Sequence, residues 1–253
     1  MASALERCRL VLVRPQNAGN IGSTARVMRN MGLTDLVLVA PDADYRDRAA
    51  LQLSTHGQEI LDRARVVSQF DEAVADCVLV AGTSARSGGL FRRQSAGTLA
   101  DIMPHVVAAL PAGPVALVFG PERTGLTNDE VTRCQYLMHI PADPSYPALN
   151  LAQAVAITLY ELRKRCVSFS REPPASADRE PPASHATAEH MFAQLQHALE
   201  EIHFLYGPKG DSLMHALRHL IARALPSEME VDVLRGLARQ IAWAAKKARK
   251  PSS

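Results

Sequence analysis

Most of the residues able to do chemistry lie in three short segments. The first is Arg14-Pro15-Gln16-Asn17-Ala18-Gly19-Asn20-Ile21-Gly22-Ser23-Thr24-Ala25-Arg26. It follows an apolar run from Leu10 to Val13 and opens a helix expected to reach about Asn30. A strand that passes through a glycine-marked turn into a helix start leaves several backbone N–H groups without partners, a natural seat for an anion. Asn20 near the cap and Arg26 inside the helix are expected to place an amide and a permanent cation near one rim of that seat. The second segment, Val115 to Leu126, and the third, Ile140 to Ala152, repeat the plan of apolar strand, Gly/Pro-marked loop and helix start. Three such loops from one sheet can converge at the carboxyl ends of its strands, where open α/β sheets bind ligands.

The elements that would position these loops follow from periodicity. Strands are expected at 10–13, 36–39, 65–67, 77–81, 115–119 and 136–140, with helices at 20–30, 47–62, 70–76, 97–109, 127–134 and 149–167. This alternation predicts an α/β fold, a parallel sheet with helices on both faces. Leu151, Val155, Leu159 and Leu162 recur at helical spacing, so one face of the last helix is expected to be buried against the sheet or a partner subunit. Residues 1–167 form the expected main domain. Residues 168–187 break the pattern: Arg171-Glu172-Pro173-Pro174-Ala175-Ser176 recurs as Arg179-Glu180-Pro181-Pro182-Ala183-Ser184, which reads as a solvated, semi-stiff linker.

Residues 188–253 read as a small helical extension with segments at 187–205, 211–224 and 227–249. The expected apolar linings are Leu195, Leu199, Ile202 and Phe204; then Leu213, Leu217, Leu220 and Ile221; then Leu234, Leu237, Ile241 and Trp243. A module of this size is marginal alone, so it is expected to pack on another subunit or to become firm on a bound partner.

Bulk properties exclude several classes. With 47% apolar and 21% charged residues in 253, the chain reads as an ordinary globular protein. A net charge of +2 gives no global basic field, so any nucleic-acid contact must come from local patches. Cys8, Cys77, Cys134 and Cys166 are scattered and read as reduced, buried thiols rather than a zinc site. His215 and His219 have i, i+4 spacing but no third ligand, and read as solvated helix histidines; no metal is expected. No apolar run is long enough for a membrane span and no signal-like leader is evident, so the expected location is the cytoplasm.

Together and in this order, the three segments resemble the signature motifs of the SpoU-type RNA ribose 2′-O-methyltransferases of the SPOUT superfamily. The resemblance spans roughly residues 8–165. With Gly82-Thr83-Ser84-Ala85-Arg86, Glu122-Arg123-Thr124-Gly125-Leu126-Thr127-Asn128 and the helical extension, the chain is most similar to a subgroup acting on the ribose of tRNA nucleotide 32, in the anticodon loop. The resemblance implies a deep trefoil knot in the C-terminal part of the sheet domain, S-adenosylmethionine as cofactor, tRNA as substrate and a homodimer.

Carried onto this chain, the motifs make Arg26 the catalytic arginine, with Asn20, Glu122 and Asn150 beside it. Asn20 would position Arg26 or the ribose, or cap its helix. Glu122 would fix Arg26 or relay a proton, and Asn150 stands at a helix start. The cofactor loops become Thr83, Ser84 and Ala85; Gly120; and Ile140, Pro147, Ala148 and Leu149. A literal base role for Arg26 would cost about 7–9 kcal/mol to expose a neutral guanidine at pH 7. Arg26 therefore reads as an electrostatic element that holds the target phosphate and lowers the pKa of the adjacent 2′-hydroxyl.

One departure stands out: family members commonly carry serine where this chain has Ala148. Three alternatives stay open, namely methylation of another tRNA position or of rRNA, a non-catalytic RNA-binding homologue, and an ordinary small-molecule α/β enzyme. Arg86, Arg92 and Arg93 around Ser87-Gly88-Gly89, and the run from Lys246 to Lys250, are candidate phosphate contacts or merely solvated loops and ends.

Overall fold

A computed structural model describes residues 5–84, 96–169 and 180–248. Seven strands form one sheet: β1 (Cys8–Val13), β2 (Asp35–Val39), β3 (Arg65–Val67), β4 (Leu79–Thr83), β5 (Ala96–Thr98), β6 (Val115–Phe119) and β7 (Tyr136–His139). Their order is β3-β2-β1-β6-β4-β7-β5, with every pairing parallel. The connecting helices are α1 (Ala18–Met31), α2 (Arg48–Ser54), α3 (Gln58–Asp62), α4 (Phe70–Val74), α5 (Leu99–Ala109), α6 (Asn128–Thr132) and α7 (Leu151–Phe169).

The two-residue period of the strands sorts the core into two layers. Leu10 and Leu12 of β1, Leu36 and Leu38 of β2, and Leu117 and Phe119 of β6 face one side, under α1, α5 and α7. Val11, Val13, Val37, Val39 and Val118 face the other, under α4 and α6. All are essentially fully buried, as expected for a sheet covered on both faces. At the amino ends of the strands, buried Arg9 is tied to Asp35 (2.7 Å) and Asp76 (2.5 and 3.0 Å).

Three expectations need correction. The helix expected over 47–62 is broken into α2 and α3 by a 3-10 turn, Thr55–Gly57. Gly57 lies so close to α1 that a Cβ there would sit 2.6 Å from the Ala25 carbonyl oxygen. The strand expected at 77–81 starts two residues later, and β5 was not expected at all. An Ala-Gly-Thr edge strand carries neither alternation nor β-branched bulk to announce it. Of the two alternatives expected for α7, the structure shows the first: Leu151, Val155, Leu159 and Leu162 are buried in the chain's own core, and Ile157, Tyr160 and Val167 on another face are exposed.

The helical module comprises α8 (His185–Glu201), a short 3-10 turn, α9 (Gly210–Ala222) and α10 (Glu228–Ala248). The expected linker is shorter than 168–187, because α7 continues to Phe169 and Ser184 already caps α8 by accepting from the Thr187 N–H. Ala183 N–H also bonds the Pro226 carbonyl, and Pro182 pairs with Ser227. Residues 170–179 lie outside the described residues.

The module has a core of its own, centred on Met191, Phe192, Leu195, Met214, Val231 and Ala238. It also docks on its own sheet domain: His185 and Ala186 N–H groups bond the Cys77 and Ala75 carbonyls, and His215 contacts Thr132. The expectation named another subunit or a bound partner, and the module rests instead on its own chain. Ile202, Phe204, Leu213, Leu220, Leu237 and Trp243 do not line this core but are exposed. His219 is buried rather than solvated. Cys8, Cys77 and Cys134 are free and buried, and burial pushes the Cys77 and Cys134 thiols up to about 12.

Candidate active site

The carboxyl ends of β4, β6 and β7 bring their loops around one cleft of about 240 Å³, and the loop after β1 stands beside it without lining it among the described residues. Its walls include Thr83 and Ser84 after β4, Gly120 and Glu122 after β6, and Ile140, Pro147, Ala148 and Leu149 after β7. Seven of the eight residues expected at the cofactor site therefore line a single cavity; the eighth, Ala85, lies outside the described residues, as do Arg86, Arg92 and Arg93. Phe119, Leu126, Met138 and Leu151 add apolar wall, while Thr124 and Asn128 add polar groups. A slot that offers apolar and polar wall in about equal measure suits a flat heteroaromatic ring joined to a polar tail.

The loops after β1, β6 and β7 are pinned to one another by a chain of side-chain hydrogen bonds. Asn20 donates from Nδ2 to Glu122 Oε1 at 2.8 Å and accepts at Oδ1 from Asn150 Nδ2 at 2.9 Å. Glu122 Oε2 accepts the Gln16 N–H at 2.9 Å. The anion expected at the turn after β1 is therefore supplied by the chain itself, as the Glu122 carboxylate. Neither oxygen of Glu122 is paired with Arg26, so the expected Glu122–Arg26 bond is not made.

Asn20 is not the helix cap either: Asn17 caps α1, accepting from the Asn20 N–H, and this leaves the Asn20 side chain for the relay. Asn150 does both jobs, since its Oδ1 accepts from Ala152 N–H at 2.9 Å to start α7 while its Nδ2 reaches Asn20.

Arg26 is exposed and is not among the described residues lining the cleft. Helix geometry explains why. Six positions at about 100° each turn Arg26 roughly 120° away from Asn20 and carry it about 9 Å along the axis. The expectation that amide and cation share one rim is corrected accordingly: Asn20 turns toward Glu122 and Asn150, while Arg26 is exposed on another side of α1.

Two residues that sequence reasoning missed brace the site from below. Arg14, at the end of β1, holds buried Glu130 through two bonds of 2.6 and 3.0 Å, and Glu130 closes a capping box with Thr127 at the start of α6. Only the Thr-x-x-Glu spacing before α6 hinted at half of this. Burial opposes charge on Glu130, but Arg14 and the Thr127 N–H outweigh it and hold the carboxyl below its usual range. Its folded pKa is depressed, so its stabilising contribution is present above the unfolded value of about 4.3 and is lost as pH falls through the folded value. Glu130→Gln is expected to destabilise the fold by about 3 kcal/mol near pH 7 and to flatten the loss of stability below pH ~4.5, as measured by urea unfolding across pH.

Comparison with known proteins agrees with this geometry. The SpoU rRNA Methylase family profile matches residues 7–160, and that of the tRNA methyltransferase TrmJ C-terminal domain matches residues 186–252. The chain belongs to the SpoU methylase family, in its TrmJ branch. A TrmJ from Pseudomonas aeruginosa, described as a tRNA (cytidine/uridine/adenosine-2′-O-)-methyltransferase, is 40% identical over 92% of this chain and 93% of its own length. One from Salmonella typhimurium, described as a tRNA (cytidine/uridine-2′-O-)-methyltransferase, is 38% identical over 94% and 97%.

Among solved structures, TrmJ from Z. mobilis superposes with a TM-score of 0.75 at 32% identity, covering 92% of this chain and 98% of that one. The SpoU methyltransferase AviRb from Streptomyces viridochromogenes, solved with AdoMet, gives 0.51 at 26% identity, covering 63% and 57%. Among the described residues, no helix is long and apolar enough to cross a membrane, and no cluster of His, Cys, Asp and Glu is placed to hold a metal.

Proposed function

We propose that this SpoU-family chain is a homodimeric, cytoplasmic tRNA ribose 2′-O-methyltransferase. It transfers the methyl of S-adenosylmethionine to nucleotide 32 of the anticodon loop. The observation that carries this reading is the Glu122–Asn20–Asn150 chain, which ties the loop after β1 to the loops after β6 and β7 that wall the cleft. The residues fit the cofactor: Ile140 and Leu149 would flank the adenine faces, while the Thr83, Ser84 and Gly120 backbone would meet its polar edges. When bound, S-adenosylmethionine supplies an electrophilic methyl on a sulfonium centre. The knot implied by the family would fold the third loop back beneath the second.

Arg26 acts on the RNA rather than on the cofactor. A guanidinium holding the phosphate next to the target ribose favours the ionised 2′-hydroxyl, and the proton leaves to phosphate or water. Since Arg26 points away from its own cleft, it serves the cleft of the other subunit. The exposed Ile157 and Tyr160 of α7 supply the apolar face for that pairing.

Incubation with methyl-labelled S-adenosylmethionine and total cellular RNA, followed by nuclease mapping, tests the reading. Label is expected on the ribose of anticodon-loop nucleotides in the tRNA fraction. Label in rRNA would move the substrate, and RNA retention without label would make the chain a binding protein only.

A further inference from the structure

The seam between the helical module and the sheet domain is built around a histidine. His185 is the first residue of α8, next to the capping Ser184. Its N–H and that of Ala186 donate across the seam to the Cys77 and Ala75 carbonyls, at 2.8 and 3.0 Å. The imidazole is carried into the same seam, where the residue is only 3% exposed. Neither ring nitrogen has a hydrogen-bond partner among the described residues. The Asp71 carboxylate stands 4.0 Å from Nε2, outside hydrogen-bond reach.

A neutral ring forfeits its hydrogen bonds in this place; a charged one forfeits far more, for three reasons. Burial removes the water around it and puts no acceptor in its stead. The start of a helix is its positive end, so a cation at the first position of α8 is opposed by the dipole. The charged groups that face the ring are also matched already. Asp71 of α4 holds Arg133, just after α6, and Glu189 of α8 holds Arg218 of α9. Arg133 reaches the exposed Asp129 as well, and Asp76, in the segment that accepts the two N–H bonds, is held by Arg9. None of these carboxylates is left over for an imidazolium. In keeping with this, burial holds the ring below the ordinary histidine range, outweighing the opposite pull of Glu189 and Asp71.

A second buried histidine works in the same sense. His219 of α9 is 4% exposed and shares a small cavity with Arg133, Gln135, Glu189 and Arg218. Burial disfavours its charged form, and His215, Arg218 and Arg223 add to that. The module meanwhile keeps a core of its own around Met191, Phe192 and Leu195, so it can leave the sheet domain without unfolding.

We propose that His185 is a pH-sensitive latch: the module stays docked while the ring is neutral, and is released from the sheet domain, still folded, when the ring takes up a proton. The docked state excludes that proton and the open state accepts it at the ordinary value of about 6.5. Docking is therefore complete above that value and weakens as pH falls below it. The latch does not rest on the reaction assigned to the cleft.

Hydrogen exchange of the full chain, corrected for the intrinsic rate at each pH, tests it. Between pH 7.5 and 5.5 the protection of the His185 and Ala186 amides should fall by at least about ten-fold, the ratio for one proton taken up only on opening. Amides around Leu195 in the module core and Val118 in the sheet should keep theirs. His185→Phe retains a ring that cannot charge, so the fall at position 186 should be about ten-fold smaller than in the native chain. His185→Gln, equally unable to charge, should match it and serves if the first variant does not fold. Unchanged protection at 185 and 186 in the native chain, an equal fall in the uncharged variants, or a parallel fall around Leu195 would each overturn the latch.

Discussion

Arg26→Ala is expected to lower kcat for tRNA methylation by a factor on the order of 10²–10³, the cost of losing one preorganised charge at the reacting centre. Affinity for S-adenosylmethionine should stay within about two-fold, because Arg26 is no part of the cleft wall among the described residues. Arg26→Lys should recover only part of the loss, since an ammonium keeps the charge but not the two-pronged grip on phosphate.

The sharper expectation concerns which cleft Arg26 serves. In mixed dimers of an Arg26→Ala chain with a chain whose own cleft is closed, the cleft of the first subunit can borrow Arg26 from the second. Differently tagged, co-purified heterodimers should therefore regain up to about half the wild-type rate although each parent is inactive. Titration calorimetry with the cofactor and single-turnover rates with tRNA provide the two readouts. No recovery in the mixed dimer would return Arg26 to its own cleft and demand a rearrangement of α1.

Much of the cleft was legible in the sequence for a simple reason: its second and third loops each follow an apolar strand, and a parallel sheet delivers such loops to the same edge. Gly120, Ile140 and Leu149 fall in segments that the order strand, glycine or proline, helix places together, whereas Thr83 and Ser84 were assigned by the family resemblance alone. What the sequence could not say is which groups satisfy one another. Asn17 and Asn20 are both asparagines near the start of α1, and only the backbone decides that the first caps the helix and the second reaches Glu122. Arg14 and Glu130 are 116 positions apart, so their pairing depends on β1 and β6 being neighbours.

Arg26 shows the opposite failure. Its motif assigned it a role by resemblance, but its direction was misjudged because spacing was taken as nearness, when six residues along a helix point elsewhere. The helical module erred differently again. Leu213, Leu220, Leu237 and Trp243 have the periodicity of core residues, yet periodicity marks an apolar face without naming what covers it. In α7 and α10 alike one stripe is filled by the chain and a second is left outward, so amphipathic counting overstates the core of a single subunit.

Gly120→Ala is expected to abolish both cofactor binding and methyl transfer, because it opens the loop on which the relay depends. A Cβ at position 120 would lie 2.3 Å from Leu126 N and 2.4 Å from the Gly125 carbonyl carbon, both backbone atoms that cannot swing aside. The segment between is a tight return: Gly125 N–H bonds the Pro121 carbonyl at 2.9 Å, and Gly125 itself takes φ +67. Relief of the clash must push residues 121–126 outward, drawing Glu122 off Asn20 and Gln16 and widening the slot beside Leu126.

Strain of this kind costs about 1–3 kcal/mol if the loop stays closed, so the loop opens instead, away from the buried strand. Stability should then fall by no more than about 2 kcal/mol, while the dissociation constant for S-adenosylmethionine should rise by at least about 100-fold, the counterpart of roughly 2.7 kcal/mol. Asn20→Ala makes the companion measurement. It removes the same link without touching the loop backbone, so cofactor affinity should fall far less than in Gly120→Ala while turnover drops. Equal losses of affinity in the two variants would show that the side-chain relay, and not the path of the second loop, holds the cofactor cleft in shape.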